Sequence, residues 1–211
     1  MQRWLARVVL LSMLGTFGCD KAKSKSESKE TEDDEPKSEK ASSKGDEKKG
    51  GASGSGARAL TKDFPGDLAG ATALVKAFRD EKTDRVALTR ALRPDPADFK
   101  AIFEGEFAAK VEEAHKKFWD AEKFEGLSGG KPDQTEVLIA AVSTEDIAAW
   151  NDNAKALPGG YEKIKDKFKK GLVVYRFKYV VPGETLGMAN DGLIHVNGHW
   201  VFVPKPWRGE K

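Results

Sequence analysis

The chain has a single cysteine in 211 residues, Cys19, so no disulfide can close within it and no cysteine pair is available to a metal. Long apolar runs are missing as well. The run from Val8 to Phe17, apolar apart from Ser12 and Thr16, would span about 15 Å as a helix against a hydrocarbon core of about 30 Å, too short to cross a bilayer. An excess of charge is also lacking. The formal net charge is +2, and Arg3 and Arg7 account for all of it; Asp20 to Arg58 carries ten basic and ten acidic residues, and Ala59 to Lys211 twenty-four of each. This balance removes the electrostatic reason to expect nucleic acid or a strongly acidic partner. From Lys21 to Gly56 there is no aromatic residue and no Val, Ile, Leu or Met. Such a stretch cannot bury enough apolar surface to offset chain entropy, so it is expected to be disordered. No nucleophile elbow, glycine-rich phosphate loop, HExxH pair or internal repeat is present.

What is present begins with a signal. Met1 to Arg7 carries two arginines and no acid, Val8 to Phe17 is apolar, and Gly18 is small, the three regions of a secretory signal. Thr16-Phe17-Gly18-Cys19 resembles the lipobox of a bacterial lipoprotein, with Thr16 standing where the commonest form has Leu. The resemblance implies that residues 1–18 are removed and that Cys19 becomes an acylated N-terminus. Several acyl chains (palmitate among them) would hold the protein in the lipid bilayer, since each buried methylene contributes about 0.8 kcal/mol. The alternative is an ordinary secretory signal in which Cys19 is incidental. Either way the folded part is expected outside the cytoplasm, in the cell envelope or periplasm. Asp20 resembles the inner-membrane retention signal of enteric lipoproteins, and inner versus outer membrane stays open. Residues 19–59 then read as the lipidated cysteine and a linker of Lys, Glu, Ser and Gly. As a coil of about 40 residues its root-mean-square span is roughly 35 Å. Its interleaved acids cancel the field that would attract its lysines to anionic lipid.

Residues 60–211 read as one domain, large enough to be stable without staples. Leu68, Ala71, Leu74, Val75 and Phe78 recur at helical spacing. Thr83 or Asp84 can cap a second helix that Pro94 stops. Asp95-Pro96 opens a third segment carrying Phe99, Ile102, Phe103, Phe107, Val111, Ala114 and Phe118, which Gly105 can divide. Glu136 to Val142 is a strand, Ser143 or Thr144 caps a helix to about Leu157, and Tyr161 to Lys170 is a further helix closed by Gly171. After Gly171 the period becomes two, with Val173, Tyr175, Phe177, Tyr179 and Val181 on one face of a strand. Another strand is expected near Thr185 to Ala189. Asn197-Gly198 between apolar runs predicts a two-residue hairpin. The class is α+β: N-terminal helices packed on a curved antiparallel sheet that ends in a hairpin.

In that hairpin His195 pairs with Trp200 and Val196 with His199, so the two histidines point to opposite faces and no metal site or cofactor is expected. Both faces are apolar, which predicts cover on each, by helices on one and by the tail or a partner subunit on the other. His115, at the edge of the long helix's apolar stripe, reads first as a half-buried core residue. It is also the candidate base of a pocket near Tyr175 and Tyr179, with Glu184 or Asp191 nearby. Trp207, between prolines and Arg208, is expected to fold back on the domain. Helices against a curved meander that finishes in Gly198-His199-Trp200 resemble the nuclear-transport-factor-2-like (NTF2-like) superfamily, and Gly187 to Arg208 looks like the last hairpin of bacterial secreted and lipoprotein domains. This resemblance implies a pocket between sheet and helices, and it carries no catalytic residue onto this chain by motif. The expected function is a non-catalytic binding or interaction domain, engaging an envelope protein, a second copy or a small ligand; the alternative is a hydrolase- or isomerase-type pocket enzyme with His115 as base.

Overall fold

The structure, a computed structural model, describes residues 59–120 and 125–211; the signal, Cys19 and the linker lie outside the described residues. The hairpin anchors the sheet. Asn197 (φ 51°) and Gly198 (φ 77°) both take the positive φ that a type I′ turn requires, joining strand β3 (Gly187–Val196) to β4 (His199–Phe202). With β1 (Glu136–Ser143) and β2 (Val173–Val180) they form a four-stranded antiparallel sheet in the order β1-β2-β3-β4. The expected strand near Thr185 is the start of β3 itself, which continues into the hairpin. One irregularity interrupts the ladder. Arg176 pairs with Asp191 but Tyr175 with Leu193, leaving Gly192 as a bulge.

Among the described residues four α-helices precede the sheet, and the starts of the first three follow their caps. Asp67 accepts from Gly70 N–H (2.9 Å) to start α1 (Leu68–Ala77), and Asp84, not Thr83, accepts from Ala87 N–H (3.0 Å) to start α2 (Arg85–Ala91). Asp95 and Asp98 form a capping box on α3 (Pro96–Ile102), with Pro96 at its first turn. Past Gly105, α4 (Phe107–Trp119) carries the second half of the phenylalanine stripe.

Two expected helices are shorter or tighter than their sequence suggests. Ser143 caps α5 (Thr144–Ala149), but the helix stops at Trp150, which turns left-handed (φ 47°), instead of reaching Leu157. Asn151 Nδ2 donates to the Asp146 carboxylate and its Oδ1 accepts from Ala154 N–H, so side chains replace the helical ladder there. Gly159–Lys167 is 3₁₀ with a kink at Ile164. Its glycine-rich start disfavours an α-helix. Tyr161 and Ile164, three apart, eclipse on one 3₁₀ face and are both fully buried.

The sheet is covered on both faces by helices of this chain. On one face Ile194, Val196, Val201 and Val203 pack with α3, α4, α5 and the 3₁₀ segment; on the other Leu193, Trp200, Phe202, Tyr175, Phe177 and Tyr179 pack with α1 and α2. The second cover is thus the N-terminal helix pair, where the tail or a partner had been expected. Helical periodicity shows that α1 and α2 each bury a face, and in the structure Ala71, Leu74, Val75 and Phe78 of α1 and its end, with Leu88 and Leu92 of α2 and its end, are buried against the sheet while Leu68 stays exposed. The tail folds back as expected: the Trp207 ring meets Tyr161 edge to face at 5.2 Å.

Candidate binding groove

His115 sits on α4, 3% exposed, with Nδ1 2.8 Å from the Val111 carbonyl and Nε2 2.7 Å from the Pro204 carbonyl. A neutral imidazole donates to one of these and an imidazolium to both; in neither form does a ring nitrogen face open space. Its ring packs against Phe99, within the core beneath the first face. Tyr175 and Tyr179 lie on the other face, so the structure does not bring the three together. Tyr179 donates its hydroxyl to the Val75 carbonyl (2.9 Å), and Tyr175 packs edge-on against Trp200. Burial pushes both phenols above their ordinary pKa, with Asp67 adding to the effect on Tyr175, so both stay protonated. Asp191 is engaged by Tyr161, whose hydroxyl donates to it at 3.0 Å, and Glu184 lies exposed in the β2–β3 loop.

The histidines of the hairpin do point to opposite faces. His199 reaches a partner that its sequence gives no sign of: Nε2 lies 3.1 Å from the carboxylate of Asp98, which also accepts from Asn197 Nδ2 (2.8 Å) and from Asp95 N–H (2.9 Å). Asp98 is fully buried and His199 8% exposed. The group ties the hairpin tip to α3. The capping box makes Asp98 recognisable as a helix-start residue, but nothing local signals His199.

On the opposite face the His195 ring lies against Gly66, where a Cβ would stand 2.4 Å from Nδ1, and edge-on to Trp200. Burial first, and the charge of His199 second, lower its pKa from the ordinary 6.5. The unfolded chain therefore takes up this proton first, and stability declines as pH falls from about 6.5 toward the depressed folded value. Denaturant midpoints measured between about pH 7.5 and 5 are expected to fall less steeply for His195→Gln than for the parent chain. An identical slope would show that His195 titrates alike in both states.

A concavity of about 890 Å³ opens where α5 meets the 3₁₀ segment and the residues after it. Its wall is built by the bridge between Phe103 and Phe168, with Glu104 N–H donating to the Lys167 carbonyl (2.8 Å) and Lys169 N–H to that of Ile102 (2.9 Å). Phe168, Ala148 and Ala149 supply apolar surface; Lys165, Lys169 and Lys170 supply cations, and Glu104, Glu145 and Asp166 carboxylates. One end is held firmly. Glu145 accepts from Gly171 N–H (2.8 Å), which lowers its pKa below the usual carboxylate range, and Thr144 lies between the N–H and carbonyl of Leu172. A second concavity, about 420 Å³, lies at the start of α2; neither includes His115, Tyr175 or Tyr179.

No family model, curated protein or solved structure matches this chain. The groove is therefore read from its own chemistry. Its lining holds no His, Cys, Ser or Tyr, and its one hydroxyl, Thr144, is already bonded to backbone. Such a surface can hold a ligand with apolar and charged parts of both signs.

Proposed function

We propose that the chain is a membrane-anchored bacterial envelope lipoprotein whose folded domain is a non-catalytic binding module on a flexible tether. One observation carries the binding half: the 890 Å³ groove combines an apolar floor with charged groups of both signs, the lining a mixed ligand needs. The anchoring half rests on Thr16-Phe17-Gly18-Cys19 and on the polar stretch after it. A leash of roughly 35 Å lets the domain reach a partner while its anchor stays in lipid. The partner that suits the groove is an envelope protein presenting a short apolar segment flanked by both charges.

The experiment is fractionation joined to crosslinking. Cys19→Ser is expected to abolish acylation and release the protein from membranes or leave it unprocessed. A photocrosslinker at Ala148 is expected to capture one defined envelope protein, with Lys169→Glu weakening that capture and a probe at Lys110 of α4 giving none. Normal processing with full membrane retention of Cys19→Ser overturns the anchor; equal capture from Ala148 and Lys110 overturns the groove.

A further inference from the structure

β1 is an outer strand whose sequence has none of the devices that keep exposed edges from pairing. From Val137 to Val142 it reads Val-Leu-Ile-Ala-Ala-Val, without proline, glycine or charge, and its register with β2 is unbroken from Glu136↔Val180 to Ser143↔Val173. Proteins ordinarily blunt such edges with lysine, proline, a bulge or a covering segment. The opposite edge is blunted. β4 has four residues, Pro204 and Pro206 follow it, and the C-terminal 3₁₀ turn (Pro206–Glu210) packs on α4. Among the described residues nothing pairs with the outer side of β1. Val137 to Ala140 are half-buried and Ala141 exposed even though helices cover both faces of the sheet. Val137 and Ile139 already pack against one core, so their rows end where the strand ends.

We infer that β1 pairs antiparallel with β1 of a second copy, joining two four-stranded sheets into one. The self-complementarity of the strand favours this occupant. Along a strand, alternate residues turn their N–H and carbonyl outward, so a two-fold between identical strands must pass through a single residue. An axis at Ile139 sets Val137 against Ala141 of the second copy and Leu138 against its Ala140, a large side chain against a small one each time. No charge faces a like charge, since the nearest ionisable residue, Glu136, falls opposite Val142. A two-fold perpendicular to the sheet also keeps like faces together, so the apolar rows continue across the junction. Two tethers would then serve one body, and membrane attachment would gain from both.

Sedimentation of the full chain, purified in a non-ionic detergent across the micromolar range, tests this. The protein mass is expected to be twice that of one chain. Ala141→Lys, at a position exposed in the single copy, is expected to weaken association at least about tenfold with circular dichroism unchanged. Ile139→Cys in a Cys19→Ser chain is expected to give a disulfide-linked dimer on mild oxidation, because the axis sets each cysteine opposite itself; Lys110→Cys is expected to give none. A monomer throughout the range overturns the inference, as does a dimer that Ala141→Lys leaves intact. Oxidation that links Ile139→Cys to a different protein and never to itself overturns it in favour of a foreign strand.

Discussion

Replacing Asp98 with alanine is expected to lower the free energy of unfolding by about 2–4 kcal/mol, since a buried donor stripped of its acceptor costs about 1–3 kcal/mol and a lost helix cap about 1 kcal/mol. Three donors converge on this carboxylate: the N–H of Asp95, Nδ2 of Asn197 and Nε2 of His199. Alanine removes the acceptor of all three: Nε2 of buried His199 is left facing the void, the half-buried N–H of Asp95 loses its cap partner, and the amide of exposed Asn197 can turn to water. The cost falls on two elements at once, because Asp98 completes the capping box of α3 and holds the tip of the β3–β4 hairpin. Asp98→Asn keeps the shape but turns an amide N–H₂ toward at least one donor, so about 2 kcal/mol is expected. Urea titration of both variants and of His199→Ala gives the cycle. The double variant Asp98→Ala/His199→Ala is expected to cost less than the sum of the singles by about 1–3 kcal/mol. A loss below about 1 kcal/mol for Asp98→Ala would show that water reaches the carboxylate and that the group does not hold the hairpin to α3.

That group also marks where reading the sequence stops. Asn197-Gly198 announces the turn because positive φ has a residue preference, and the turn sets the register that separates His195 from His199. Asp84, Asp95 and Ser143 announce helix starts because their carboxylate or hydroxyl satisfies amides two or three residues on. Period two in β2 and in the hairpin separates the side chains that build the two cores. These signals act within a few residues. Asp98 and His199 are 101 positions apart, and neither neighbourhood encodes the other. The same limit hides which face of the sheet α1 and α2 cover, since an apolar stripe specifies burial without naming its partner. It hides the groove as well: Glu104, Glu145, Lys165 and Lys169 read singly as solvated charges, and only the packing of α5 beside the 3₁₀ segment brings them around one concavity. His115 shows the reverse case. Its chemistry is visible in the sequence, while the Val111 and Pro204 carbonyls that occupy it are not.

Gly192→Ala is expected to cost about 3 kcal/mol or more, and to do so through the backbone of another strand's end. Gly192 is the bulge in β3, with φ 90°, where an L side chain carries strain of about 1–2 kcal/mol. A Cβ there would stand 2.0 Å from the Val203 carbonyl oxygen. Backbone cannot rotate out of the way as a side-chain tip can, so Val203 must move, and an overpacking cost of about 1–3 kcal/mol follows. Moving it breaks the hydrogen bond from Val203 N–H to the Gly192 carbonyl (2.7 Å) and disturbs Lys205 N–H, which donates to Asp191 (3.1 Å). The bulge also sets which face each residue of β3 serves. Asn190 lies opposite Phe177 and Asp191 opposite Arg176 because Gly192 takes up one residue before Leu193 meets Tyr175. A chain that escapes strain by straightening the bulge slips by one residue, and Asp191 loses Tyr161. Gly198→Ala separates these contributions. It shares a positive φ (77°), but a Cβ there meets nothing within 4 Å, so the conformational cost of about 1 kcal/mol stands alone. Chemical denaturation of the two variants should therefore differ by about 2 kcal/mol, and equal losses would mean that the Val203 backbone yields freely to a side chain at the bulge.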